Sequence, residues 1–382
     1  MDYIEEEQMK KVGIMSMQRI ANYGSFLQAY ALKKLIEELD CKVEFVDYHV
    51  GRPVIIDNAD SKYKFLRKIE KGLETFRFQA PFVHKLSFIR YKQSFAKKYM
   101  PLLGVSNEKN YNPTLDCLVI GSDEVFNCIQ KNTNVGYSLE LFGKDNKAKK
   151  LLTYAASFGN TTLEKLEKYK KADEVGELLK KFDELSVRDT NSGDIVEKLT
   201  GKTPVYNLDP VLIYDYMKCC DKIPQLKTKE KYLILYAYAG RISNSEANWI
   251  SAYAKEKKLK IYAIGGIQKC ADRFIDCSPF EVLAYFNNAE EVITDTFHGS
   301  IFSIITHCTF TTLIRKSMGD SYGNEEKISD LLKRLRLNER MTMKVESVKN
   351  INMREIDYVK VDELLNAYRK SAREYLQKNL EG

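Results

Sequence analysis

Residues 291-EVITDTFHGSIFSII-305 set a polar turn, TDTFHGS, between two apolar runs. EVIT has the length and β-branched content of a buried strand, and GSIFSII reads as a buried helix. A strand that passes through a short turn into a helix is the repeating unit of a parallel α/β sheet. Asp295 or Thr296 is placed to cap that helix, and His298 falls in its first turn, beside Gly299 and Ser300. The chain has only four histidines. One of them at a helix N-terminus, where backbone N–H groups and the helix dipole favour anions, is placed to exchange a proton with an anionic substrate. The rival reading is a histidine that only hydrogen-bonds a backbone carbonyl.

The same strand-to-helix text recurs on both sides. VGIMSM (12–17), KVEFVDY (42–48), DCLVIGS (116–122), KLLTYAAS (150–157) and ELSVRD (184–189) precede an irregular stretch from Asp209-Pro210 to Pro224. YLILYAY (232–238), KIYAIGG (260–266), EVITD (291–295) and TFTTLI (309–314) follow it. Helical periodicity appears at 162–182, 190–199, 243–257, 279–288, 299–306 and 325–336. The pattern predicts an α/β chain of two Rossmann-like domains, 1–209 and 210–358, with a C-terminal helix over 359–382. A basic excursion at about 51–110 interrupts the first.

In such sheets ligands bind at the carboxyl ends of strands. After the first strand, Asn22, Gly24 and Ser25 let the backbone approach a ligand, and Ser25 with Gln28 has capping-box spacing; a tight turn would choose the same residues. Gly121, Ser122 and Asp123 end the third strand and Ser157 the fourth, where helix capping or packing is the plainer reading. Arg188 ends the fifth. Its guanidinium suits two-pronged recognition of a carboxylate or phosphate, or a salt bridge to Asp189 or another neighbour.

Composition narrows the class. With 44% hydrophobic and 30% charged residues over 382 positions, the chain is long enough for two cores. No apolar run approaches the roughly 18–20 residues of a membrane span. The start, MDYIEEEQMKK, lacks the apolar stretch of a signal peptide. Eight scattered cysteines without paired spacing read as reduced thiols in a cytoplasmic protein, not as a metal site. Residues 61–98 hold 11 Lys/Arg against two Glu, with aromatics interleaved. Such a segment either lies on an anionic membrane surface or packs its aromatics inward and leaves its lysines solvated. Nothing points to nucleic acid.

Seven stretches in order carry a resemblance: NYGSFLQAYALKKLIEELDCKVEFVDY (22–48), CLVIGSDEVFN (117–127), LLTYAASFG (151–159), LSVRDTNSG (185–193), LDPVLI (208–213), EVITDTFHGSIFSII (291–305) and NEEKISDLLKRLRLNER (324–340). Together they resemble the polysaccharide pyruvyl transferase family, whose members are similar to GT-B glycosyltransferases in their two Rossmann domains. The resemblance implies transfer of pyruvate from phosphoenolpyruvate to two hydroxyls of a sugar, leaving a ketal and free phosphate. It implies His298 as acid/base and Arg188 as a ligand of the donor. Asn22, Gly24, Ser25, Gly121, Ser122, Asp123, Ser157, Asp295, Thr296, Gly299 and Ser300 would line the site, with no metal and no cofactor beyond the donor. The acceptor would be a lipid-linked or nucleotide-linked sugar, handled in the cytoplasm or at the inner membrane face. The better-understood members carry Arg-Leu-His where this chain has Thr296-Phe297-His298; either Arg241 or Arg315 supplies the replacement cation, or this branch of the family uses another donor or acceptor. A GT-B-like glycosyltransferase using a nucleotide sugar, or a non-catalytic glycan-binding relative, are the alternatives.

Overall fold

Two separate six-stranded sheets, every pairing parallel, form the framework of the computed structural model, which describes residues 9–55, 74–316 and 323–381. The first sheet runs β2-β1-β3-β4-β5-β6, with β1 Lys11–Met15, β2 Lys42–Phe45, β3 Cys117–Asp123, β4 Lys150–Ala156, β5 Ser186–Val187 and β6 Val205–Tyr206. The second runs β12-β11-β10-β7-β8-β9, with β7 Tyr232–Tyr236, β8 Lys260–Ile264, β9 Arg273–Phe274, β10 Glu291–Thr294, β11 Phe310–Leu313 and β12 Met341–Thr342. Each is doubly wound. In the first the winding reverses between β1 and β3; in the second, between β7 and β10. Those switch points leave a crevice beyond the strand tips, where ligands of such sheets bind. Two Rossmann-like units facing each other across one cleft make this a GT-B-like fold.

The helices that shape the cleft are α1 (Tyr23–Glu37), α2 (Phe82–Leu103), α3 (Thr190–Thr200), α4 (Pro210–Ile213), α5 (Asn244–Glu256), α6 (Pro279–Asn287), α7 (Phe297–Ile305), α8 (Glu325–Arg334) and α9 (Tyr358–Leu380). A continuous apolar seam joins the two units behind the cleft. Phe26 and Tyr30 of α1 meet the Phe280 ring of α6 at 5.7 and 5.0 Å between centroids, both edge-on. Tyr23 Oη donates to the Cys277 carbonyl at 2.9 Å. Helix α9 straps the outside: Tyr358 Oη donates to Cys308 O at one end, and Tyr375 Oη to Thr153 O at the other.

Helix α1 begins earlier than the sequence suggests. Asn22, not Ser25, is its N-cap, the Asn22 Oδ1 accepting from the N–H groups of Gly24 and Ser25. Ser25 is thereby released to donate its hydroxyl to Asp123 within the first unit. Of the basic segment 61–98, positions 61–73 lie outside the described residues. In the rest, Phe88, Tyr91 and Phe95 are buried on α1 and β9 while Arg90, Lys92, Lys97 and Lys98 face solvent; Phe76 and Phe82 stay exposed. On α2 those three aromatics pack inward, while Phe82, Val83 and Leu86 stay exposed. Among the described residues no helix is long and apolar enough to cross a membrane, and no three His, Cys, Asp or Glu side chains are grouped to hold a metal ion.

Candidate active site

Between the two switch points lies a cavity of about 240 Å³. From the first unit, Asn22, Ser25, Asp123, Glu124 and Arg188 line it; from the second come Tyr238, Arg241, Asp295, His298 and Lys327. Helix α7 delivers the histidine. Its N-cap is Thr296, whose hydroxyl accepts from Gly299 N at 2.9 Å, so His298 sits in the first turn facing the first unit. The ring rests on the backbone of Gly24: a Cβ there would overlap its Nδ1 and Cγ atoms. Gly24 has an ordinary negative φ, so the close approach of the imidazole explains this glycine, not turn geometry.

A buried carboxylate anchors the site. Asp209, fully buried, stands before α4 and caps it by accepting from Val211 N at 3.1 Å. Arg188 Nη1 donates to its Oδ2 at 3.1 Å. His298 Nε2 lies 3.6 Å from the same oxygen, an ion-pair distance longer than a hydrogen bond, and has no hydrogen-bond partner among the described residues. Burial alone would raise the Asp209 carboxyl, but the adjacent His298 and Arg188 outweigh it and hold it below the usual range. Arg188 also lies 3.8 Å from Asp123 and 4.4 Å from the centre of the Phe297 ring.

Each cation of the cleft faces a carboxylate. Lys327 of α8 donates to Glu124 at 2.9 Å, bridging the two units. Arg241, in the loop between β7 and α5, lies 3.8 Å from Asp295 and 4.6 Å from the Tyr238 ring centre. Asp123 accepts from Ser25 Oγ at 2.9 Å. A small anion entering here would exchange these internal pairs for its own.

This geometry places a histidine, a buried carboxylate and three cations in one interdomain cleft, and a family model agrees with the motifs that built it. The model for polysaccharide pyruvyl transferase matches residues 22–317. The chain belongs to the polysaccharide pyruvyl transferase family. Membership makes it a transferase by family. No curated protein matches the sequence. Among solved structures it is similar to the UDP-GlcNAc 2-epimerase of Methanocaldococcus jannaschii (10% identity, covering 98% of this chain and 100% of that one, TM-score 0.47). It is similar also to that of Neisseria meningitidis (10%, 95% and 94%, 0.46). A third is an O-GlcNAc transferase mutant of Thermobaculum terrenum (13%, 98% and 66%, 0.42).

In this pyruvyl transferase family member, the residues read from sequence divide by where they point. His298, Arg188, Asn22, Ser25, Asp123, Asp295 and Thr296 line the cleft, and Gly24 seats the histidine. Five do not line it. Ser157 Oγ donates to Asp189 at 2.5 Å, which ties β4 to α3. Ser122 Oγ accepts from Asp123 N, and Gly121 is small because the Tyr154 carbonyl lies against it. Gly299 packs on the Thr294 hydroxyl, and Ser300 is fully buried against Thr312. Of the two arginines read as replacing the missing cation, Arg241 reaches the cleft. Arg315 is instead pinned to Glu246 at 2.6 Å. Asp189 caps α3 and leaves Arg188 to Asp209. Sequence reasoning passed over Asp209 and Lys327; the signal for the first was Asp-Pro, an N-cap with proline at the first helical position.

Asp295 differs from the other carboxylates. It does not cap α7. It is fully buried at the cleft wall, and neither oxygen has a hydrogen-bond partner among the described residues. Burial pushes its carboxyl up to about 6, against the pull of Arg241 and Arg315. A carboxyl raised above its unfolded value of about 3.9 stabilises the fold only where both states are protonated. As pH climbs from about 4 to 6 the unfolded chain loses its proton first, and roughly 3 kcal/mol of stability is lost. Asp295→Asn, fixed in the neutral form, should therefore be about 2–3 kcal/mol more stable than the parent at pH 8 and indistinguishable from it near pH 4. Urea unfolding at both pH values measures this; a gap of equal size at each would show that ionisation is not its cause.

Proposed function

We propose that this chain transfers pyruvate from phosphoenolpyruvate to two hydroxyls of one sugar in a cell-surface polysaccharide precursor, forming a cyclic ketal and releasing phosphate. The observation that carries the reading is the His298 imidazole, its Nε2 buried and without a hydrogen-bond partner among the described residues, at a cleft lined by Arg188, Arg241 and Lys327 in a member of this family. The cavity, at about 240 Å³, has room for a donor of about ten non-hydrogen atoms.

The atoms balance with side chains alone. A proton adds to the donor's CH2 carbon, which becomes a methyl group. The oxygen of one sugar hydroxyl bonds to C2 and gives up its proton. The bond from C2 to the phosphate oxygen then breaks, and the second hydroxyl closes on C2. Of the two hydroxyl protons, one replaces the proton given to the methyl carbon and the other leaves with phosphate. In this reading His298 supplies and takes back protons at the donor. Asp295 is a second group able to exchange a proton near neutrality, and the charge of a bound anion favours its acid form.

In this reading Arg241 holds the donor carboxylate or phosphate. Arg241→Gln should raise KM for phosphoenolpyruvate roughly tenfold, the loss expected for one hydrogen bond to a charged group, with the acceptor KM unchanged. Mass spectrometry of glycan precursors incubated with phosphoenolpyruvate, scored for the ketal, tests the reaction itself. Thermal stabilisation by UDP or GDP but not by phosphoenolpyruvate would move the assignment to a nucleotide-sugar donor.

A further inference from the structure

A second cavity, of about 250 Å³, adjoins the first. Its walls are largely aromatic. Phe78, Phe88 and Tyr91 come from the excursion and Tyr236 and Tyr238 from the end of β7, with Glu74 and Lys92 also lining it. Asn22, Tyr236, Tyr238 and Thr296 line both cavities, and the Asn22 amide donates to Tyr238 Oη at 3.2 Å. The loop after β7 is shaped for the excursion: Gly240 has φ of +80°, and a Cβ there would come within 2.7 Å of Phe78.

The lining narrows what fits. Tyr23 and Tyr91 are 5.3 Å apart between ring centres, and Phe88 and Tyr91 6.1 Å, so these neighbours pack on each other and leave no slot for a planar base between them. A hydrocarbon tail would strip water from the Asn22 amide, the Tyr238 and Thr296 hydroxyls and the Glu74 and Lys92 charges, and return no hydrogen bond. A pyranose meets both demands, with C–H bonds on its faces and hydroxyls around its rim.

We propose that this aromatic chamber is the acceptor subsite, taking one pyranose ring against Phe78 and Tyr238, with its reacting hydroxyls directed past Asn22 and Thr296 into the His298 cleft. The assignment rests on the pyruvyl-transfer reading, which requires a sugar beside the donor. It gives the excursion a catalytic purpose: a segment of the first unit closes a pocket against the second and selects the glycan.

Saturation-transfer NMR with methyl β-galactoside, methyl β-glucoside and methyl β-mannoside tests it without turnover. Irradiating the aromatic protons of the full chain should transfer saturation to the ring C–H protons of at least one glycoside. The effect should fall at least fivefold in Phe78→Ala. Phe78→Leu, which keeps most of the apolar volume, should melt like the parent yet lose the effect as well. Absence of transfer to all three sugars, or transfer undiminished in both variants, overturns the subsite. Ring-dependent sugar binding without phosphate release from phosphoenolpyruvate would instead leave the chamber standing and sink the proposed reaction.

Discussion

His298→Ala should release phosphate from phosphoenolpyruvate roughly 10²- to 10⁴-fold more slowly than the parent chain, the range that a positioned acid/base supplies, while the protein melts normally. Both halves of that expectation come from the site. The imidazole is the group in the cleft whose free ring nitrogen is at once buried and without a partner. Its removal does not strand Asp209, which keeps the Arg188 guanidinium at 3.1 Å and the Val211 N–H at 3.1 Å. A buried carboxylate that lost its only cation would cost several kcal/mol; this one loses the more distant of two. Phosphate release and calorimetry on the same preparation measure the two effects. Turnover within twofold of the parent would remove His298 from the chemistry, and a collapsed melting transition would recast it as part of the frame.

What the sequence revealed follows from element length. The long apolar strands showed themselves through β-branched runs ended by polar turns, and their observed bounds fall within three residues of those read. β6, β9 and β12 went unseen. Each is two residues long, Val205–Tyr206, Arg273–Phe274 and Met341–Thr342, at a sheet edge. Two residues carry no periodicity; β5, equally short at Ser186–Val187, was readable because it lies inside the sheet within the longer run ELSVRD. Strand order was hidden as well: a flavodoxin-type order in one sheet and a dinucleotide-binding order in the other can arise from the same alternation of strand and helix. At the cleft, residues that line it from their own turn were readable, His298 and Arg188 among them. Asp209 was not. Its role comes from two partners, 21 and 89 positions away in opposite directions along the chain, that only the closed cleft brings to it. Ser157, Ser300 and Gly121 lie outside the cleft lining and pack between elements, a use that looks identical in sequence to lining a ligand.

Gly24→Ala separates these two uses of a small residue. By helix propensity the change should help, since alanine is favoured over glycine by about 1 kcal/mol within a helix and Gly24 has no positive φ to forbid it. The neighbour decides otherwise. The added methyl would occupy the position of the His298 ring, and backbone on both sides is fixed, by the Asn22 cap on α1 and the Thr296 cap on α7. The side chain that yields is the imidazole, which must swing out of its seat on Gly24. A displacement of about 1 Å at a reacting group costs on the order of 10²-fold in rate, so phosphate release should fall by roughly that factor while the melting temperature holds or rises. Gly176→Ala is the matched control. That glycine also lies in a helix, its added Cβ would sit 3.4 Å from the Leu199 carbonyl, and it does not line the cleft. It should change stability slightly and rate not at all. Equal rates for the two variants would mean that the imidazole is not held where the reaction needs it. A fall confined to Gly24→Ala would assign the glycine of the first strand's turn to the placement of a histidine 274 residues later in the chain.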